Sequence, residues 1–238
     1  ENLATYRDDI MEAVAETSEE YMERYFNGEE FTLEEILGAL KENVKTSGMV
    51  PVLMGSGLNA QGVRMLLQDM VQYLPSPAEC EISGENADGS EFVANYDVTK
   101  PFSAKVFKTI ADPFIGKYSL IKVCSGVLKS DSTIYNAEKD AEEKLSKLYV
   151  MQGKTPIEVK EVNAGDIGAV AKLSNVATGD TLSTKANPIT YEKPEYPVPY
   201  TYMRYKTKNK GDEDKVSGAL AKLMDEDVTL KAVNDTEN

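Results

Sequence analysis

The chain has 238 residues, 41% hydrophobic and 28% charged, an ordinary globular composition with room for one large domain or two small ones. It contains no histidine, which removes the commonest general base and metal ligand, and its two cysteines, Cys80 and Cys124, are too few for a structural zinc site. The net charge of −14 falls wholly in residues 1–100, which hold 20 acidic and 6 basic residues, while residues 101–238 hold 20 of each.

The first third reads as helix. Ile10, Val14, Tyr21 and Tyr25 recur at helical spacing, which predicts one helix over 3–26, stopped by Asn27-Gly28. Thr32 and Glu35 form a capping box, with Phe31 and Ile36 placed as its hydrophobic staple. The stripe Ile36, Leu37, Leu40, Val44 then predicts a helix over 32–45. Met49 to Met54 is almost wholly apolar and fits a strand buried on both faces, with Pro51 at an early or edge position. The loop Gly55-Ser56-Gly57-Leu58-Asn59 follows. Val63, Leu66, Leu67, Met70, Val71 and Leu74 make an amphipathic helix that Pro75 and Pro77 end. Strand, small-residue loop and helix are half of a βαβ unit. One buried strand makes no sheet, so this part reads as the end of a larger α/β domain.

Residues 78–100 read as an acidic linker or extended loop, punctuated by Gly84, Asn86, Asp88-Gly89 and Ser90. From Pro101 the hydrophobic period changes to two. Segments 102–108 and 118–124 are strand-like, and further strands fit at 132–136, 144–150, 167–172 and 181–182. Gly116, Gly126, Gly165, Gly168 and Gly179 read as turn glycines without a ligand role. Many short strands with Gly/Asp turns suggest a barrel or sandwich, and the need to close sheet edges favours the barrel. Tyr196-Pro-Val-Pro-Tyr200 marks a second linker. Tyr200 to Tyr205 reads as a strand, Lys215 to Met224 as a helix and Thr229 to Val233 as another strand. This β-α-β piece is too small to hold a core alone, so both ends of the chain read as cut.

Several of these segments, taken in order, resemble the elongation factor G family of translational GTPases. They are Met49 to Val63 with its Gly-Ser-Gly loop, Tyr73-Leu-Pro-Ser-Pro77, Ala111-Asp-Pro-Phe-Ile-Gly116, Val123-Cys-Ser-Gly-Val-Leu128, Ala164 to Val170, Thr178-Gly-Asp-Thr-Leu182 and Lys215 to Asp227. No single motif is specific; their colinear succession is. The resemblance implies the tail of a GTP-binding domain over 1–78, a linker over 79–100, a translation-factor β-barrel over 101–193, and the start of an α+β, ferredoxin-like third domain over 194–238. In the family the loop matched by Gly55, Ser56, Gly57 and Leu58 offers backbone amides to the guanine of GTP or GDP, with magnesium bound elsewhere in the intact parent. Alone, Gly-Ser-Gly after a strand is simply a common turn. Gly57 stands where the family has alanine, Val228 where proline is usual, and region 196–212 is Tyr-rich and then Lys-rich in an unfamiliar way. These departures point to a paralogue.

The phosphate loop Gly-x-x-x-x-Gly-Lys-[Ser/Thr] and the guanine-reading Asn-Lys-x-Asp element occur nowhere. Without a phosphate cradle no phosphoryl-transfer site is expected, so the chain alone should neither bind GTP tightly nor hydrolyse it. The resemblance further implies a ribosome partner, small-subunit ribosomal RNA met through phosphates and shape, with Lys105, Lys108, Lys117, Lys122 and Lys129 as candidate contacts. The lysine-rich part reads equally well as an ordinary solvated surface. A ribosomal protection or peptide-chain release GTPase, or a non-enzymatic β-barrel binding module, are the other readings. No apolar run reaches the roughly 18 residues of a membrane helix, and the polar start is no leader, so a cytoplasmic protein with free thiols and no membrane or DNA partner is expected.

Overall fold

A computed structural model describes residues 2–112, 115–209 and 211–233. It divides into two compact units, Glu1–Ser76 and Pro77–Asn238.

The first unit is helical: α1 (Asn2–Ala15), α2 (Glu19–Phe26), α3 (Leu33–Lys45) and α4 (Val63–Tyr73). The single helix expected over 3–26 is two. At the end of α1, Thr17 donates to the Val14 carbonyl through both its Oγ1 (2.6 Å) and its N–H (3.2 Å), tightening the last turn. Ser18 then caps α2, its Oγ accepting from Tyr21 N at 3.1 Å. Val14 and Ala15 are fully buried, and Asn43 Nδ2 of α3 donates to Ala13 O at 3.1 Å, tying α3 to α1. The capping box of α3 is present as read. Its Glu35 also takes two bonds from Arg24, whose guanidinium stacks over Tyr21 and Phe31. The Arg24 bonds, then the Thr32 bonds, hold the Glu35 pKa down to about 2.

The strand expected over 49–54 does not form. Among the described residues this unit contains no strand, so the segment has no ladder partner, and Val52 and Met54 stand 87% and 92% exposed.

Among its described residues the second unit holds a short 3-10 turn (Pro77–Glu79), thirteen strands and an α-helix. In chain order the strands and α-helix are β1 (Ile82–Asn86), β2 (Glu91–Ala94), β3 (Ser103–Asp112), β4 (Gly116–Ser125), β5 (Val127–Lys129), β6 (Thr133–Asn136), β7 (Ala141–Lys144), β8 (Leu148–Gln152), β9 (Thr155–Val159), β10 (Glu161–Asn163), β11 (Ile167–Ala171), β12 (Thr181–Leu182), β13 (Ile189–Tyr191) and α5 (Glu213–Glu226). The main sheet runs β12-β3-β4-β11-β8-β9, with β5 paired to β10 and β6 to β7. Ser183 and Tyr135 exchange backbone hydrogen bonds at 2.8 and 2.9 Å, carrying the sheet from the end of β12 to β6. The enclosed core holds Val106, Ile121, Val123, Leu128, Ile134, Leu145, Leu148, Val162, Val170 and Leu182. Each such side chain stabilises by about 1.5–3 kcal/mol relative to exposure. The architecture is the expected β-barrel of the translation-factor type.

Several details correct the expectation. Residues 79–100 are no linker. β1 and β2 form a hairpin turned at Asp88-Gly89, and β13 adds to its other edge, giving a small sheet packed on the barrel through Ala94, Cys124, Ile189 and Tyr191. The strand expected over 144–150 is broken, because Leu145 leaves β7 to enter the core before β8 begins. Gly168 sits inside β11, where its missing side chain admits Val162, and not in a turn. Gly126, by contrast, needs its φ of 67°: a Cβ there would meet Lys100 O and Phe102 N at 2.7 Å. Both cysteines are free thiols, and burial raises the pKa of Cys124.

Tyr191 is held by a buried chain of hydroxyls. Ser125 Oγ donates to Pro101 O at 2.7 Å, so Ser103 must donate to Ser125 (2.5 Å) and Tyr191 to Ser103 (2.6 Å). Burial pushes the Tyr191 hydroxyl well above its usual range.

Beyond β13 the chain runs without helix, strand or turn through 192–207, then enters α5. The strands expected over 200–205 and 229–233 do not form, since neither finds a partner strand among the described residues. The expected helix does form, and it packs against the end of β3. There Glu226 Oε1 accepts from Ala111 N at 2.6 Å, and Asp225 lies 3.9 Å from Lys117.

Candidate functional site

The loop singled out in the sequence is a small closed turn. Ser56 and Gln61 exchange backbone hydrogen bonds (3.0 and 3.1 Å), and Ser56 Oγ accepts from Asn59 N at 3.3 Å. A side chain at Gly55 would meet Gln61 O at 2.8 Å. The turn thus spends the N–H of Ser56 internally. The N–H groups of Gly57 and Leu58 have no hydrogen-bond partner among the described residues, and Leu58 is 96% exposed. Two adjacent free donors on an exposed turn suit one carbonyl oxygen. Among the described residues no group of three or more acidic or cysteine side chains is placed to hold a metal ion.

The five candidate lysines divide by what they touch. Lys105 of β3 and Lys122 of β4 are direct cross-strand partners. Like charges so placed repel. Each is anchored over a tyrosine: Lys105 Nζ lies 5.6 Å from the Tyr191 ring centre and donates to Glu192 O at 3.1 Å, and Lys122 Nζ lies 4.9 Å from the Tyr96 ring centre. After a bulge at Phe107, Lys108 pairs with Leu120 and so shares the face of Lys122, by the alternation of β4. It is exposed and has no partner among the described residues. Lys117 lies on the opposite face of β4 and is engaged, its Nζ donating to Val176 O at 3.3 Å beside Asp225. Lys129 is exposed on β5, across from Glu161 of β10. The structure thus gathers Lys105, Lys108 and Lys122 on one face, sets Lys117 on the other, and leaves Lys129 on a separate ribbon.

Sequence reasoning missed Asp180. Its carboxylate is 3% exposed and accepts four hydrogen bonds, from Lys139 Nζ (2.7 Å), Asn136 Nδ2 (2.9 Å), Ala177 N (2.9 Å) and Lys193 Nζ (3.1 Å). Burial opposes its ionisation, but these donors outweigh burial and hold its pKa below the usual range. Lys193 also bonds Glu138 at 2.6 Å. The knot fixes the 175–180 loop, the turn of the β6–β7 hairpin and the exit from β13. The Thr178-Gly-Asp180 segment shows locally only as a turn, since the partners that bury Asp180 lie at 136, 139 and 193.

Two family descriptions match this chain. Elongation factor G domain 2 matches residues 101–185, and elongation factor G domain III matches residues 196–238. A crystal structure of a protein from Thermus thermophilus is similar at 32% identity and a TM-score of 0.71, over 98% of this chain. The chain spans 33% of the length of that protein. Among the described residues no helix is long and apolar enough to cross a membrane. The two family matches take in more than half of the chain, in the family's own order, on a barrel of the expected kind: the chain belongs to the elongation factor G family and is translation-factor-like.

Proposed function

We propose that the chain acts within a ribosome-bound translation factor whose whole activity is translocation of tRNA and mRNA. The colinear domain 2 and domain III matches carry this reading. In it the barrel meets small-subunit ribosomal RNA through the lysine face of β3 and β4. Lys108 supplies the mobile charge, and Lys105 and Lys122, held over their tyrosines, supply a fixed positive field. Lys129 gives a second, separate phosphate contact, whereas Lys117 is engaged by α5 and the 176 carbonyl and contributes little. The Gly57 and Leu58 N–H groups are the donors proposed for the guanine carbonyl oxygen of GTP or GDP. The residues of this chain fit that end of the nucleotide alone, so no hydrolytic step is assigned to them.

The test is co-sedimentation of the chain with small ribosomal subunits across a salt series. Weak pelleting that fades steeply with salt is expected, and Lys108→Gln with Lys129→Gln should flatten the salt dependence. No pelleting at low salt, or pelleting indifferent to salt, refutes the reading.

A further inference from the structure

β3 and β4 are the longest strands of the barrel, 10 residues each, and pair along most of their length. Ala104, Val106, Ile121 and Val123 turn into the core, so Lys105 and Lys122 turn outward, directly opposite each other. Cβ atoms so placed are about 4.5–5.5 Å apart, and like charges there repel. An exposed lysine such as Lys108 or Lys129 has water as its partner. Lys105 and Lys122 are half-buried, and among the described residues neither meets an acid. Lys117, the other half-buried lysine of the barrel strands, lies 3.9 Å from Asp225. The barrel thus carries two partly desolvated cations side by side with no counter-charge.

Their anchors hold them there. The Tyr191 ring against Lys105 is 3% exposed and tied through its hydroxyl to Ser103, and the Tyr96 ring against Lys122 is 9% exposed. A ring face attracts an ammonium group but carries no net charge, so it orients each lysine without neutralising it. Both charges also bear on one point: the Cys124 thiol, on the same face of β4, has its pKa raised by burial against the opposing pull of Lys105 and Lys122. Cations held in place before a ligand arrives lose little freedom on binding it.

We propose that Lys105 and Lys122 form a discrete oxyanion site that seats one phosphate group between them, and that the bound phosphate removes the repulsion they impose on the empty barrel. Lys105 gives one N–H to the Glu192 carbonyl and keeps two, and Lys122 keeps three. A phosphate accepts from both through charge-assisted bonds of about 2.8 Å. Its negative charge supplies what the two strands lack. The inference rests on the lysine-face reading only where the phosphate is a link of an RNA backbone; free phosphate has the same chemistry, and the test separates the two sources.

The test is urea unfolding of the full chain at fixed ionic strength, with inorganic phosphate replacing chloride, read by labelling of the buried Cys124 thiol in a Cys80→Ser background. Phosphate should raise the folded-to-unfolded ratio by one plus the ratio of its concentration to Kd, about elevenfold at ten times Kd, with acetate doing far less. Lys105→Gln and Lys122→Gln should each abolish the gain. Lys154→Gln, the same charge change on the exposed tip of the β8–β9 hairpin, should keep it. In chloride at low salt the double-mutant cycle should show repulsion: the ratio after Lys105→Gln should fare about 1.5- to 5-fold worse in the Lys122→Gln background than in the parent. With phosphate bound that sign should reverse. No gain in phosphate, an equal gain in acetate, or a gain that survives both substitutions overturns the site. Subunit co-sedimentation of the double variant then names the source. Lost pelleting together with the phosphate gain assigns the phosphate to RNA. Unchanged pelleting with the gain assigns it to free phosphate and strikes the lysine-face reading alone. Lost pelleting without any phosphate gain keeps that reading and overturns the discrete site.

Discussion

Replacing Asp180 with Asn tests how the barrel is locked. The change keeps the volume and removes the charge, so any effect comes through hydrogen bonds. Lys139 and Lys193 are 40% and 50% exposed, so their ammonium groups turn to water at little cost once the carboxylate is gone. The penalty falls on Ala177 N–H and Asn136 Nδ2, whose charge-assisted bonds become neutral. A charge-assisted bond contributes about 1.5–3 kcal/mol and a neutral one about 0.5–1.5 kcal/mol, so the expected loss is about 2–3 kcal/mol. The buried Cys124 thiol gives a local readout. In a Cys80→Ser background its labelling against urea reports opening of this unit alone. The pH dependence fixes the cause. Because the folded pKa of Asp180 is depressed, its stabilisation is complete above the unfolded value near 3.9 and is lost as pH falls through the folded value. The gap between parent and variant should hold from pH 8 to about 5 and close toward pH 3. A loss under 0.5 kcal/mol, or a gap as wide at pH 3 as at pH 7, refutes the reasoning.

Other expectations are as direct. Tyr191→Phe strips the first donor from the hydroxyl chain and should cost about 1–2 kcal/mol in the same labelling assay, whereas an unchanged urea midpoint would mean that water replaces the tyrosine. Gly126→Ala combines a left-handed backbone with contacts at 2.7 Å, and should lower the thermal midpoint of the barrel by several degrees or prevent its folding. In an NMR titration Glu35 should ionise near pH 2; the start of α3 then keeps its cap above pH 4.3 and loses it as pH falls toward 2. A midpoint above 4 would show that the Arg24 bonds do not persist.

Legibility followed length and locality. β3 and β4 announced themselves by alternation, and α3 by Thr32 and Glu35, because those signals are contained within the element. β5, β10 and β13 are three residues each, and their pairings, such as Glu161 with Lys129 and Gly84 with Tyr191, are made across long stretches of chain. No local pattern encodes them. The β1–β2 hairpin was read as linker because its outer positions are acidic, although Asp88-Gly89 was a turn signal in plain view. At Thr17-Ser18 the helical period continues across the break, and only the cap chemistry shows that the helix stops. The loop over 55–58 was legible as a turn, but which amides stay free depends on the Ser56–Gln61 pairing. The lysines were legible as positive, and their division into anchored, engaged and free was not, since it depends on Tyr96, Tyr191 and Asp225.

The end of α5 carries one more consequence. A helix C-terminus is the negative pole of the backbone dipole, yet α5 ends in Asp225 and Glu226 with no basic residue in its last turn. On its own that end is electrostatically frustrated. The rim of the barrel offers what it lacks, an unspent N–H at Ala111 and the ammonium of Lys117. Helix and rim thus each complete the other, through contacts exposed enough to be dulled by salt and modest enough to release. Such a seam rests on a few polar bonds, so raised salt is expected to loosen it more than it loosens the barrel core.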